Sequence, residues 1–452
     1  MKTKVKKSVV VHGAKDVAPT AKEIVWDVVV IGGGPAGMMA AGRAGERRKR
    51  VLLLEKNSKV GKKLLITGGG RCNVTNNKPD VRTMLAKYTK SDKFLFSAFT
   101  QFGVTEAFSF FNEKGMAMKE EPEGRMFPVS NKAESVWNVL IEYMKVGRVK
   151  VQTKANVSGI TFNKFLHRVI ITLTDGSTIS ARSCVVATGG TSHPETGSTG
   201  EGFTWLESLG HEVIKNDAAL VPIALKDSWI HSVAGVVLKD IKLTTFKNDI
   251  KQQVYKGKLL FTHVGISGPT VLNMSREVGE LLTSSEGDEY LKEDEAVETS
   301  KKNEVTIMLD MFPMFDHGLL REKLQTVLTT ESNKKIKNSL SSFLPPLLVA
   351  PILELAQVNG ETFNHSVRST ERTALVAILK AVPLHVSKLL GKNKAVVSSG
   401  GVTLSEVNFK TMQSRLVPQV YLVGDVLNIN RPSGGYSLQL CWTTGYIAGN
   451  NC

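Results

Sequence analysis

The stretch that decides the fold is Trp26-Asp-Val-Val-Val-Ile-Gly-Gly-Gly-Pro-Ala-Gly37. Its apolar half predicts a buried β-strand, and its glycine half predicts a tight turn that leads directly into a helix. Gly32, Gly34 and Gly37 have the spacing of the Gly-x-Gly-x-x-Gly fingerprint found in dinucleotide-binding βαβ units. The stretch therefore predicts the first strand and the first helix of a Rossmann-like fold.

Each glycine has its own physical role in such a unit. Gly32 permits the tight turn, Gly34 lets the backbone approach a pyrophosphate, and Gly37 lets the helix pack closely on the strand. The helix predicted from Pro35 to about Arg47 points its N-terminal N–H groups and its dipole at the phosphates. Pro35 suits the first turn, because no backbone donor is needed there. These residues predict a pyrophosphate site at the start of the helix.

An acidic residue completes the unit. Glu55 stands at the end of a second apolar strand, Arg50-Val-Leu-Leu-Leu-Glu55. A carboxylate at this place accepts hydrogen bonds from a ribose 2′-hydroxyl, which favours an unphosphorylated ribose. We therefore expect FAD or NAD, and not NADP, at this site.

The composition is that of a globular protein. The 452 residues allow two or three domains, and 42% of them are hydrophobic and 22% charged. No apolar run approaches the ~20 residues that cross a bilayer, so we expect no membrane span. The basic start of the chain is not followed by the apolar core of a secretory signal, and residues 1–22 predict a disordered basic tail.

The cysteines and the charge balance indicate the redox compartment and the kinds of partner to expect. Cys72, Cys184, Cys441 and Cys452 show neither paired spacing nor histidine partners, which indicates no disulfide framework and no metal site and favours a reducing cytoplasm. The net charge is +16. Such a field attracts anionic ligands, RNA or anionic surfaces, but a solubilising basic surface explains it equally well.

The hydrophobic period changes after the first βαβ unit. Residues 150–186 alternate with a period of two and include the hairpin signal Asp175-Gly176. Residues 205–310 are also β-rich. The acidic stretch 284–304 interrupts them and predicts an exposed loop.

A helical pattern follows the β-rich part. Residues 313–390 show helical patterning, with breaks expected at Pro345-Pro346 and Pro351. From Ala395 the chain returns to strand–turn–strand patterning. We therefore predict a discontinuous dinucleotide domain with an insertion at about 205–390.

A second glycine-rich segment, Thr67-Gly-Gly-Gly-Arg-Cys-Asn-Val-Thr-Asn76, follows the first unit. Three consecutive glycines allow a backbone to lie flat against a planar ring or a phosphate. Arg71 can neutralise a pyrophosphate, and Asn73 can hydrogen-bond a polar ring edge. The alternative is a flexible surface loop, although a simple linker seldom carries an Arg-Cys-Asn cluster.

Three further segments run from a strand or turn into a Gly-Gly or Gly-Asp pair. Val185-Val-Ala-Thr-Gly-Gly190 predicts a turn that closes the dinucleotide pocket, and Val420-Tyr-Leu-Val-Gly-Asp425 ends on a carboxylate suited to a ribityl hydroxyl. Pro432-Ser-Gly-Gly-Tyr-Ser-Leu-Gln-Leu440 opens a helix that would stabilise negative charge at the N1–C2 carbonyl edge of a reduced flavin. Each turn is common by itself, but together and in this order they predict an FAD site.

On these residues the chain resembles the bacterial BaiN/YhiN-type flavoproteins, also known as the aminoacetone oxidase family of FAD-binding, NAD(P)/FAD-dependent oxidoreductases. The resemblance extends from about residue 26 to the C-terminus. Family members often carry Gly-Glu where this chain has Gly424-Asp425, and an acidic residue where Asn428 stands. The matching segments are the first fingerprint, Gly68–Asn76, Pro194–Gly202, Leu260–Pro269, Ser399–Val402, Gly424-Asp425 and Ser433–Gln439.

The resemblance implies an α/β fold: a discontinuous Rossmann-like FAD-binding domain with a β-barrel-like insert and a small helical insert. The expected divisions are a tail at 1–22, the first part of the FAD-binding domain at 23–204, the β-rich insert at 205–312, the helical insert at 313–392 and the second part of the FAD-binding domain at 393–452.

The residues predicted to bind the cofactor share these glycine-rich turns and the polar positions beside them. They are Gly32, Gly34, Pro35, Ala36, Gly37, Glu55, Lys56, Gly68, Gly69, Gly70, Arg71, Cys72, Asn73, Thr188, Gly189, Gly190, Gly424, Asp425, Gly434, Gly435, Tyr436 and Leu438.

The expected chemistry is hydride transfer through flavin N5, with the protein orienting the substrate and moving a proton. His193 and Cys441 are the catalytic candidates, and His263 and Cys72 are further proton-transfer candidates. The alternatives are that each histidine caps or bridges a loop, that Cys441 packs in an apolar helix and that Cys72 contacts the ring. Because one complete fingerprint is present, a nicotinamide donor must dock on the insert face, or electrons must arrive another way.

The resemblance leaves the substrate open among conjugated steroid enones, amino ketones and uridine in ribosomal RNA. The leading hypothesis is a reductase of a conjugated or unsaturated substrate, with NAD(P)H as the candidate reductant. The alternatives are an RNA-directed uridine reductase, favoured by the net charge of +16, an amine or amino-ketone oxidase, and a non-enzymatic FAD-binding partner protein. The expected partner is a small molecule or a structured RNA, and the oligomeric state stays open.

Overall fold

The computed structural model describes residues 24–88, 90–215, 220–283, 304–390 and 400–452. The predicted tail and residues 284–303 of the predicted acidic loop lie outside these ranges. Within them the strands are β1 Val25–Ile31, β2 Val51–Leu54, β3 Thr75–Asn76, β4 Met118–Glu121, β5 Arg125–Pro128, β6 Lys150–Gln152, β7 Val157–Asn163, β8 Arg168–Leu173, β9 Thr178–Val186, β10 Val213–Lys215, β11 Ile223–Leu225, β12 Val237–Lys247, β13 Ile250–Thr262, β14 Gly265–Ser267, β15 Val305–Asp310, β16 Val382–Leu389, β17 Gly400–Val402 and β18 Val420–Leu422.

The helices alternate with these strands in the first half of the chain and cluster in the second half. They are α1 Pro35–Glu46, α2 Lys62–Ile66, α3 Val81–Leu85, α4 Asp92–Gln101, α5 Val104–Glu113, α6 Ala133–Val146, α7 Glu201–Ser208, α8 Pro269–Thr283, α9 His317–Thr330, α10 Ile336–Leu340, α11 Pro346–Leu355, α12 Ser369–Lys380 and α13 Tyr436–Asn451. Among the described residues, none of these helices has both the length and the apolar character needed to span a bilayer.

The central sheet has the strand order β6-β2-β1-β9-β8-β7, and β18 pairs with the second half of β9. Strands β6, β2, β1, β9 and β18 are parallel, with Ile31 in register with both Leu54 and Val186. Strands β2 and β18 are fully buried apolar runs, as expected when helices cover both faces, whereas β6 at the edge of the sheet is exposed. The predicted strand–helix–strand unit is confirmed, and the carboxyl ends of the five parallel strands meet at one edge.

Small residues bring α1 and the C-terminal helix α13 into close contact. A Cβ at Gly445 would lie 2.5 Å from the carbonyl oxygen of Ala36, and a Cβ at Gly449 would overlap the carbonyl oxygen of Ala40. The two backbones can approach this closely because neither glycine carries a side chain. The first and last helices of the chain are thus packed together, and this places the N-terminus of α13 beside the carboxyl edge of the sheet.

A closed barrel, in the order β11-β14-β13-β12-β15-β16, forms the second part of the molecule. Its core merges with that of helices α8 to α12 into one hydrophobic cluster that is separate from the cluster under the central sheet. The predicted fold class, a Rossmann-like domain with a barrel-like insert and helices, is confirmed.

The structure differs from the sequence prediction in three places. Helix α8 lies within the stretch predicted to be β-rich, and β16 lies within the stretch predicted to be helical, where it pairs with β11 and β15 and closes the barrel. Trp205 and Leu206 pack in the core of the central sheet, not in the insert. These contacts join residues that are far apart in the sequence, so the local hydrophobic period does not predict them.

Pro351 does not break a helix as predicted. It lies inside α11, where its ring removes one backbone N–H donor, while Pro346 starts the helix. Leu348, Ile352 and Leu353 are buried beside it. Burial of this apolar helix in the second core offsets the lost hydrogen bond.

Candidate functional site

A cleft lies at the carboxyl edge of the central sheet. Gly32 follows β1, Glu55 follows β2, Ala187 follows β9 and Val423 follows β18, and all four line the cleft. Open parallel sheets bind their ligands at this edge, outside the carboxyl ends of the strands. The topology therefore brings together segments that are far apart in the chain.

The glycines of the fingerprint differ in what surrounds them. A Cβ at Gly32, where φ is +103°, would lie 2.5 Å from the carbonyl oxygen of Ala187, and a Cβ at Gly37 would overlap the carbonyl oxygen of Gly32. At Gly34, in contrast, no described atom beyond its chain neighbours lies within 4 Å of the Cβ position. Gly32 and Gly37 are required by the fold, and Gly34 leaves open space at the N-terminus of α1.

The carboxylate of Glu55 is held by three N–H groups. One oxygen accepts the backbone N–H of Gly33 at 2.8 Å, and the other accepts the backbone and side-chain N–H of Asn57 at 2.8 and 2.7 Å. Glu55 is only 7% exposed. A carboxylate has about four acceptor positions, so capacity for one further donor remains, as a ribose hydroxyl requires.

A second buried carboxylate lines the cleft after β18. The carboxylate of Asp425 is paired with the guanidinium of Arg431, whose side chain is only 1% exposed, and Lys63 Nζ lies 3.6 Å away. Burial opposes ionisation of Asp425, but the charges of Arg431 and Lys63 outweigh it and hold its pKa below the usual value. Asp425 is therefore a fixed anion at neutral pH.

The turn that opens α13 contacts the second glycine-rich segment. Gly434 and Gly435 have φ of +115° and +99°, and a Cβ at Gly435 would overlap the backbone of Thr75. Asn76 Nδ2 donates to the Gly434 carbonyl at 3.0 Å. With the Asn73 amide oriented so that its nitrogen faces the carbonyls of Thr75 and Met126, its oxygen accepts the Gly435 N–H at 3.0 Å. The structure thus brings together two segments that the sequence analysis assigned to the flavin ring.

Arg71 and Cys72 lie outside the residues that line the cleft. Arg71 is paired with Glu121, and its guanidinium stacks 4.3 Å from the ring centre of Phe127. Glu121 therefore neutralises the charge that was predicted to face a pyrophosphate. Cys72 is fully buried, and burial raises the pKa of its thiol to about 12. Gly68–Gly70 form an exposed left-handed turn beside them.

The predicted cofactor residues fall into two sets. Those that line the cleft are Gly32, Gly34, Pro35, Ala36, Glu55, Lys56, Thr188, Gly189, Gly424, Asp425 and Leu438. Those that do not are Gly37, Gly68, Gly69, Gly70, Arg71, Cys72, Asn73, Gly190, Gly434, Gly435 and Tyr436.

Sequence reasoning missed several polar residues of the site. Asn57 and Lys63 line the cleft directly. Arg431 is not among the residues that line it, but it forms an ion pair with Asp425, which does. The loop Thr196–Glu201 also lines it. A signal was available for that loop in Ser198 and Thr199, two hydroxylated residues between glycines, but nothing local marks Lys63 or Arg431.

The catalytic candidates occupy different surroundings. His193 starts a short turn with φ of +54°, and its Nδ1 lies 2.8 Å from Glu195 Oε1, outside the cleft lining. His263 is exposed in the turn between β13 and β14. Cys441 does line the cleft, but burial raises the pKa of its thiol to about 12. At neutral pH that thiol is protonated, so it does not act as a thiolate, and it is too weak an acid to be an effective proton donor.

We expect Cys441→Ala to leave reduction of the bound flavin within about twofold of wild type, because a protonated thiol is no nucleophile. Alkylation of Cys441 by iodoacetamide is expected to be absent up to pH 10, since the thiolate forms only near its pKa of about 12. Peptide mass spectrometry after alkylation measures the second effect. Rapid labelling at pH 8, or a hundredfold slower reaction in the variant, contradicts this assignment.

The residues of the cleft fit FAD. The open space at Gly34 meets the N–H groups at the start of α1, where a pyrophosphate would be held. The buried Oγ1 of Thr188 has no hydrogen-bond partner among the described residues, as expected for a group that serves a ligand. Glu55 would hold the ribose and Asp425 the ribityl chain. No group of side chains in the described ranges could hold a metal ion.

The fold and this cleft define the class of protein: an FAD-dependent oxidoreductase built on a Rossmann-type domain. Comparison with known proteins specifies the family. Residues 26–451 match the family model described as "HI0933-like protein Rossmann domain". The chain belongs to this HI0933-like family.

Two relatives and one solved structure match most of the chain. The 3-dehydro-bile acid delta(4,6)-reductase of Clostridium scindens is 28% identical and aligns with 87% of this chain and 90% of its own length. The ribosomal RNA dihydrouridine synthase of Escherichia coli is 28% identical over 93% of this chain and 96% of its own. The 3-ketosteroid delta1-dehydrogenase structure from Sterolibacterium denitrificans has the same fold, with a TM-score of 0.51, 12% identity and coverage of 94% and 99%.

Proposed function

We propose that the protein is an NAD(P)H-driven reductase that adds hydrogen across a carbon–carbon double bond conjugated to a carbonyl. The observation that carries this proposal is the cleft, in which an open glycine turn and two anchored carboxylates converge on the start of α13. Two relatives with different substrates support the bond type. The delta(4,6)-reductase is named for a 3-oxo steroid, and dihydrouridine is uridine with its ring double bond reduced.

The chain's own residues would prepare the site for this reaction. Bound FAD supplies hydride transfer at N5. The positive N-terminus of α13 would stabilise negative charge on a flavin ring held beside it. Helix α8 of the barrel contacts the same turn, because Asn273 Oδ1 accepts the Ser433 N–H at 3.0 Å. The barrel therefore borders the expected position of the flavin ring and would supply residues that contact the substrate.

Uridine in structured RNA is the second candidate substrate. The dihydrouridine synthases of E. coli and Haemophilus influenzae align with 93% and 92% of this chain. The net charge of +16 would favour binding to a phosphate backbone. This candidate shares the bond type of the first one and differs in the size and charge of the substrate.

Anaerobic stopped-flow reduction of the purified flavoprotein tests the proposal. NADH or NADPH is expected to bleach the flavin, and a steroid enone or uridine-containing ribosomal RNA to restore its absorbance. If neither NADH nor NADPH reduces the flavin and only dithionite does, the proposal of an NAD(P)H-driven reductase is contradicted. Reoxidation by oxygen alone, with neither the enone nor RNA effective, contradicts both substrate classes.

The two substrates are separated in cells. Ribosomal RNA from cells with and without the gene is digested to nucleosides, and its dihydrouridine content is measured by mass spectrometry. Loss of one dihydrouridine on deletion, restored by the wild-type gene, supports the RNA candidate. Equal content in both strains overturns it.

A further inference from the structure

Three charged side chains from separate parts of the chain meet in the wall of the cleft. Lys63 is on α2, Asp425 follows β18, and Arg431 lies in the loop before α13. Lys63 Nζ lies 3.6 Å from Asp425 Oδ2 and donates to Ser192 Oγ at 2.8 Å. The Lys63 side chain is 23% exposed and that of Asp425 is 14% exposed, so bulk water screens them only in part.

This cluster carries an excess positive charge. Arg431 already neutralises Asp425 through a direct ion pair, and its guanidinium also donates to the carbonyl of Ile429 at 2.7 Å. Lys63 is thus a second cation beside a single carboxylate. The neighbouring Lys56, in contrast, is matched by Glu201 at 2.8 Å. Lys62 also lines the cleft, where its ammonium donates to the Glu195 carbonyl at 2.8 Å, but Lys63 is the lysine that lies beside Asp425 and Arg431.

The cluster lies between the two segments that were assigned to the flavin ring. Helix α2, which carries Lys63, ends at Ile66 and runs directly into the turn Thr67–Gly70. On the other side, Arg431 Nε donates to Ser437 Oγ at 3.1 Å, in the first turn of α13. The cluster thus borders the start of α13, where the ring is expected, and it also reaches Ser198, whose Oγ lies 3.5 Å from Lys63 Nζ. Glu55 marks the adenosine end at the carboxyl end of β2.

We propose that the Lys63 ammonium stabilises the negative charge that two-electron reduction places on the flavin ring, and so raises the midpoint potential of the bound cofactor. Arg431 is a positioning residue in this arrangement, since it acts through Asp425. The inference rests on the proposed FAD-dependent function and assigns the residue that sets the midpoint potential of its cofactor. The physical basis is Coulombic attraction in a partly desolvated cleft, where water weakens it less than at the surface.

The test compares Lys63→Met with Lys63→Arg, which keeps the charge, and with Lys59→Met. Lys59 is an exposed control on the same segment that lies over the Trp137 ring and not in the cleft lining. The midpoint potential is measured anaerobically with a reference dye and without substrate. The dissociation constant of oxidised FAD is measured in parallel on the apoprotein.

We expect Lys63→Met to weaken binding of reduced FAD about tenfold more than binding of oxidised FAD, which lowers a two-electron potential by about 30 mV. Lys63→Arg and Lys59→Met are expected to keep the wild-type potential. If Lys63→Met does not fold, Lys63→Gln provides the same readout.

An unchanged potential in Lys63→Met overturns the inference, including the case in which oxidised FAD binds more weakly, because Lys63 would then serve the phosphates. Failure of the proposed function is distinguishable from this result. A wild-type protein that binds FAD but reduces neither substrate class leaves the potential measurement intact. A wild-type protein that binds no FAD overturns both.

Discussion

Gly34→Ala is expected to weaken FAD binding at least about a hundredfold, or about 2.7 kcal/mol, while the apoprotein unfolds at the wild-type temperature. The backbone at Gly34 has φ of −78°, which alanine adopts without strain, and the Cβ position meets no described atom within 4 Å. The added methyl group would instead occupy the space in which the backbone approaches the pyrophosphate. Titration of the apoprotein with FAD and thermal unfolding followed by circular dichroism measure the two effects.

Gly37→Ala is the matched control for this variant. Its Cβ would overlap the carbonyl oxygen of Gly32, so the apoprotein itself is expected to lose stability through a distorted turn. The two glycines thus separate a binding defect from a folding defect within a single turn of α1. Unchanged FAD affinity in Gly34→Ala would place the pyrophosphate elsewhere and contradict the site.

Asp310→Ala is expected to lower the free energy of unfolding of the insert by about 3–5 kcal/mol. The carboxylate of Asp310, whose side chain is 3% exposed, lies 2.8 Å from Lys380 Nζ and 3.0 Å from Lys242 Nζ. It also accepts the Phe312 N–H at 3.0 Å. Without Asp310, the nearly buried ammonium of Lys380 on α12 keeps the carbonyls of Phe312 and Phe315 as acceptors but no anion among the described residues. The midpoint of urea unfolding, followed by circular dichroism, measures the loss.

Two further variants distinguish a lost ion pair from a general packing defect. Asp310→Ala combined with Lys380→Met removes the uncompensated cation and is expected to recover much of the stability. Glu361→Ala breaks two exposed ion pairs, with Lys335 and Lys337, and is expected to cost only a small fraction of the Asp310→Ala effect. Equal losses in Asp310→Ala and Glu361→Ala would contradict this account of the buried cluster.

Local sequence predicted the parts of the fold whose physics is local. The strand β1, the turn at Gly32, helix α1 and strand β2 appear where the hydrophobic runs and glycine spacing placed them. The reason is that a buried parallel strand, a positive-φ turn and a helix that starts with Pro35 each leave a signature within about ten residues. The position of Glu55 in the site was predicted from the same strand–helix–strand unit.

Long-range pairing was less predictable. Strand β16 was assigned to a helical stretch because its neighbours in sequence are helical, yet its hydrogen-bond partners are β11 and β15. Arg71 was expected to face a pyrophosphate because an arginine beside glycines is typical of phosphate sites. In the structure Glu121 takes up that charge from a strand fifty positions away in the chain. Neither partner can be inferred from the segment itself.

The sequence by itself determined that a glycine turn, an acidic strand end and four later glycine-containing turns occur in the order of an FAD site. Only the tertiary structure decided which side chains give that site its charge. Lys63, Asp425 and Arg431 meet because parallel strands collect their carboxyl ends at one edge and α13 packs on α1. Charge interactions depend on distance and burial, and both are set by the packing of distant segments.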